Sequence, residues 1–100
     1  MNQMTTNTAE IRRVASELTD LNGRFEQQVG ALVDDKTELC GMWEGEANNT
    51  FQQAFNKSYE SLHDFYNVIA TYVRVLTEIA AKYEESEARA KEKAVNTVQG

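Results

Sequence analysis

Proline is absent from this chain, and cysteine, tryptophan and histidine occur once each. Without proline, nothing along the 100 residues breaks a helix outright. A single cysteine excludes an intramolecular disulfide, and Cys40 reads as a small apolar residue rather than a nucleophile. A single histidine, His63, leaves no His-rich zinc site, and no glycine-rich loop is present to cradle a phosphate. Cations are in the minority, with 10 Lys and Arg against 16 Asp and Glu and a net charge of −6. Neutralising phosphates takes clustered Lys and Arg, so nucleic acid and anionic membrane surfaces are poor partners. No apolar run approaches the ~18 residues of a membrane span. Residues 1–10 are polar and lack the apolar core of a signal peptide. Read alone, that implies a cytoplasmic protein, although export by a leaderless route leaves no mark of this kind.

What is present is helical periodicity. A 41% hydrophobic and 26% charged composition suits a helical bundle better than a disordered chain. Asn7-Thr8-Ala9-Glu10 reads as a capping box. Apolar residues then fall at Ile11, Val14, Leu18, Leu21, Phe25, Leu32 and Leu39. These are a and d positions of one heptad frame in which Gln28 and Asp35 fill the remaining two. A helix over about 8–39 follows. Residues 40–45, Cys-Gly-Met-Trp-Glu-Gly, predict a bend. Beyond it, Phe51, Phe55, Tyr59, Leu62, Phe65, Tyr66, Ile69, Tyr72, Val73, Leu76, Ile79, Ala80 and Tyr83 form a broad stripe. Such a stripe can touch more than one neighbouring helix. It predicts a second helix over about 46–92, with frayed tails.

The expected fold is therefore all-α: a single antiparallel helix-turn-helix hairpin over residues 1–100. A two-helix hairpin buries little. A four-helix bundle dimer of two hairpins is the expected remedy, with Leu18, Leu21, Phe25, Leu32, Phe55, Leu62, Phe65, Ile69 and Leu76 in its core and dimer seam. Folding about Trp43 sets residue 8 beside roughly residue 78 and Gln28 near Ser58, either as a polar layer that fixes register or as a local packing fault. Later residues overhang. In an antiparallel dimer that overhang brings Tyr83 of one chain near Trp43 of the other. Glu85–Arg89 and Glu87–Lys91 are expected ion pairs. Gly23 and Gly30 share one stripe of the first helix, as tolerated surface glycines or as a place where a partner helix comes close.

One enzyme reading competes. Glu60-Ser61-Leu62-His63 is the Glu-x-x-His pattern of di-iron bundles, with Glu26 nearly level. The heptad frame turns all three residues outward, so a solvated face is the better account and no metal or other cofactor is expected.

Trp43-Glu44-Gly45 is a Trp-x-Gly tripeptide in the loop between two amphipathic helices, near the middle of 100 residues. Here the chain resembles the WXG family of small ESAT-like proteins exported by type VII secretion systems, over essentially its whole length. Tyr83-Glu84-Glu85-Ser86-Glu87 matches the family's Tyr-x-x-x-Asp/Glu export motif. The resemblance implies a non-enzymatic secreted protein that works through protein contacts. It implies a homodimer, or a heterodimer with a second WXG-type chain, exported folded by an ATPase-driven machine. It also implies a composite recognition surface made of Trp43 and Gly45 from one chain and Tyr83 and Glu87 from the other. By their chemistry, Gly41 and Gly45 shape the helix ends. Trp43 closes the end of the bundle, offers its indole N–H to a partner, or does both.

Overall fold

A computed structural model describes residues 7–99, and the side chains of residues up to 95. The polar tail of residues 1–6 lies outside the described residues. Two helices account for nearly everything: α1 over Thr8–Cys40 and α2 over Glu46–Gln99. The main-chain carbonyl of Asn7 accepts from the Ile11 N–H at 3.1 Å, so Asn7 occupies the N-cap position. Glu10 does not act as the reciprocal half of a capping box; its carboxylate pairs with Arg13. That pairing, hydrogen bond first and charge second, holds the Glu10 carboxyl below its ordinary range. The spacing of apolar residues ends α2 near 92, yet the helix continues to Gln99. Nothing in 93–99 interrupts a helix, since the segment has neither Gly nor Pro.

The chain divides into two compact units rather than one. Thr19–Ala70 forms one unit, a hairpin of antiparallel helices joined by residues 41–45. Phe25 meets Phe65 edge-on with ring centroids 5.3 Å apart. The Asn22 amide donates to the Tyr66 carbonyl at 3.0 Å, and the Lys36 ammonium lies 5.5 Å from the centre of the Phe55 ring. These pairings fall about one helical turn further along α2 than symmetric folding about Trp43 would give. Gln28 opposite Ser58 is therefore not the level of pairing. Asn22, 7% exposed, is the buried polar residue of this unit instead.

The seam also differs from the heptad frame. Apart from Gly23, next to Asn22, the less exposed positions of α1 in this unit are Asn22, Phe25, Val29, Val33, Lys36 and Cys40. They recur at the 3.6-residue period of a straight helix, against which a 3.5-residue frame drifts. Leu21, Leu32 and Leu39 are consequently exposed, and so is Phe65 at 52%. Phe25, Phe55, Leu62 and Ile69 are half-buried.

The second unit joins residues up to Leu18 to those from Thr71 onward. Ala15 and Ala80 are its buried apolar residues, at 5% and 0% exposed, with Leu18 and Leu76 half-buried. Small side chains at these points let helix backbones approach closely. Arg12 pairs with Glu84, so the level of Arg12 falls well beyond the position near residue 78 expected for the start of α1. The Glu85–Arg89 pair forms at 2.9 Å. Glu87–Lys91 is not among the ion pairs of the described residues.

Candidate functional site

The bend is built from backbone requirements first. At the end of α1 the Gly41 N–H is shared between the carbonyls of Thr37 (3.1 Å) and Glu38 (3.2 Å), and the Met42 N–H reaches the Leu39 carbonyl at 3.0 Å. Such tightened bonds satisfy orphan carbonyls without a left-handed residue. Gly41 therefore does not supply the left-handed conformation considered for it. Gly45 does: its φ is +103°, a conformation in which a Cβ is disfavoured. Its carbonyl accepts from the Asn49 N–H at 3.2 Å, making Gly45 the N-cap of α2.

Trp43 sits two residues before that cap. Its ring packs on Phe51 at 6.1 Å and 58°, and Phe51 continues to Phe55 at 6.2 Å. The Trp43 side chain thus ends an aromatic row on the first turns of α2 while the residue stays 37% exposed. Among the described residues the indole N–H has no acceptor, so one edge of the ring is available for hydrogen bonding.

Asn48 completes the bend and was not legible as a site residue. Its side-chain amide donates to the Trp43 carbonyl at 2.9 Å and to the Cys40 carbonyl at 3.3 Å. One side chain thereby ties the end of α1, the tryptophan and the first turn of α2. The available signal was an asparagine in a first helical turn, where it competes for nearby backbone groups. Cys40 is free and half-buried.

The unit that begins again at Thr71 carries the other two candidates. Tyr83 is 36% exposed. Glu87 borders a shallow depression with Glu84, Ala88 and Lys91. Glu84, between them in sequence, is gripped by Arg12. Elsewhere, Glu26, Glu60 and His63 are all exposed, and the His63 ring stacks on Tyr59 at 6.3 Å. Among the described residues no helix is long and apolar enough to cross a membrane.

The WXG100 family, described as proteins of 100 residues with WXG, matches residues 3–88. That span includes both the bend and the Tyr83–Glu87 segment. No curated protein and no solved structure matches the chain. With its Trp-x-Gly between two long helices and a match over most of its length, the chain belongs to the WXG100 family of small ESAT-like proteins secreted by type VII systems.

Proposed function

We propose that this protein leaves the cell that makes it as a folded dimer, passed through a type VII secretion machine by its ATPase. Outside, it acts without catalysis, as an effector or adaptor that binds other proteins. Its export signal is composite: Trp43 and Gly45 of one chain lie beside Tyr83 and Glu87 of the other.

The observation that carries this reading is the apolar surface the single chain leaves uncovered. On α2, Phe65 and Val68 of one unit, and Tyr72, Val75 and Ile79 of the other, are exposed at steps of three and four residues. This is the spacing of a packing stripe. On α1, Leu21, Leu32 and Leu39 are exposed as well. At Gly23 and Gly30 an added Cβ would meet nothing within 4 Å inside the chain, so room remains for a neighbour on the glycine stripe of α1, which lies on the other side of the helix from Leu21, Leu32 and Leu39.

The same uncovered surface supports a second reading. A larger secreted protein with a helical segment could occupy it, making this chain an export partner that supplies half of the signal. Light scattering on the protein expressed alone separates the two. A folded, monodisperse dimer supports self-association, and a monomeric or molten chain supports the partner role. Export is tested by comparing culture medium with cells for two variants. Trp43→Ala should lower export more than it lowers helicity, and equal losses would make Trp43 only a plug. Tyr83→Ala with Glu87→Ala should block export and leave association intact; continued export would remove the C-terminal motif from the account.

A further inference from the structure

We propose that Arg12 is a positioning residue for the Tyr83–Glu87 segment, gripping Glu84 so that the side chains of that segment face a fixed direction. This rests on the export reading above. Arg12 Nε and Nη2 donate to the two Glu84 carboxylate oxygens at 2.9 and 2.8 Å, across 72 residues of sequence. A planar fork on a carboxylate fixes orientation as well as distance, which a point charge does not. The Arg12 hydrogen bond is the main cause that holds the Glu84 carboxyl below its ordinary range, and Thr8 adds a smaller effect in the same direction. Thr8 opens α1, and unpaired amides at a helix start favour a negative charge nearby.

The place of this grip along α2 gives it consequence. Glu84 is the last residue of α2 that is not fully exposed among those whose side chains are described; 85–95 are all exposed. Support from α1 therefore ends at Glu84, inside the motif. Tyr83 lies immediately before that end, and Glu87 lies one turn beyond it. The other glutamates are also sorted. Arg12 holds Glu84 and Arg89 holds Glu85. Among the described residues Glu87 has no ion-pair partner. A receptor that approaches this face meets one carboxylate outside any ion pair of the described residues and one phenol, in an orientation set by Arg12.

The test is charge exchange in the full chain: Arg12→Glu, Glu84→Arg, the double variant, and Arg12→Lys. Two quantities are read, the ratio of exported to retained protein and amide hydrogen exchange over residues 81–90. Exposed ion pairs shift such equilibria by no more than about five-fold. Arg12→Glu should therefore lower export and speed exchange over 81–90 by about three- to five-fold, with little change in melting temperature. The double variant should recover both, and Arg12→Lys should fall between. Normal export by Arg12→Glu, or a double variant as impaired as either single one, overturns the proposal while blocked export by Tyr83→Ala with Glu87→Ala leaves the export reading standing. Normal export by that last pair overturns the export reading itself, and the positioning role falls with it.

Discussion

Gly45 offers the sharpest test of why the bend contains its second glycine. Two explanations of a glycine are usually entangled, lack of space and need for an unusual backbone. Here they separate. A Cβ built on Gly45 meets nothing within 4 Å, but φ is +103°. The whole cost of Gly45→Ala is then backbone strain, about 1–2 kcal/mol for an L-residue forced into the left-handed side of conformational space. For a chain of this size each 1 kcal/mol moves the melting temperature by about 4–8 °C. Gly45→Ala should therefore melt roughly 5–15 °C below the parent at matched protein concentration, followed by circular dichroism at 222 nm. Matched concentration matters because association adds to apparent stability. A semisynthetic chain with D-alanine at position 45 supplies the control. The D-residue favours positive φ and adds the same methyl, so it should melt at or above the parent. An L-alanine variant with unchanged melting, or a D-alanine chain as unstable as the L form, would refute the argument.

Three further outcomes follow from the same geometry. Asn48→Ala removes the donor to the Trp43 and Cys40 carbonyls and should cost about 1–2 kcal/mol, with Trp43 fluorescence shifting to the red as the bend loosens. Asn22→Leu should raise the melting temperature slightly: it removes the cost of the partnerless buried Asn22 Oδ1, roughly 1–2 kcal/mol, and gives up the bond to the Tyr66 carbonyl, about 1 kcal/mol. Acid should dissolve the Arg12–Glu84 grip. Glu84 has a lowered pKa in the folded chain, so its contribution is present above the ordinary carboxylate range and is lost as pH falls through the lowered value. The difference in amide protection over residues 81–90 between the parent and Arg12→Gln should hold from neutral pH into the acid range and vanish once the Glu84 carboxylate is protonated. A difference that persists in strong acid would mean that packing of the Arg12 stem, not the ion pair, carries the effect.

Much of this arrangement was readable from residues alone. Apolar periodicity and the missing proline marked two long helices, and the glycines around Trp43 marked the bend between them. The exact seam was not readable. A heptad frame assumes supercoiled helices, whereas the less exposed positions of α1 follow the straight 3.6-residue period, which leaves Leu21, Leu32 and Leu39 at the exposed margin of the seam. Asn22 lies off the seam in that frame, so nothing local marks it as buried. In the Thr19–Ala70 unit the pairing lies about a turn beyond a symmetric fold about Trp43, because Asn48, in the first turn of α2, closes the end of α1. Arg12 and Glu84 are separated by 72 residues. No local pattern pairs them; only the level at which α1 begins beside α2 does so.

The central claim is that the bend of one chain and the Tyr83–Glu87 segment of a second form one surface. The most direct measurement places a benzophenone amino acid at position 83 in an otherwise unchanged chain and irradiates the purified protein. Mass spectrometry of the digest then maps the adducts. The account predicts a crosslinked dimer with adducts on the partner within residues 42–51, the stretch that holds Trp43, and loss of the dimer band when Phe65 and Tyr72 are both replaced by Glu. Irradiated protein that stays monomeric, or dimers whose adducts lie elsewhere on the partner, would contradict it.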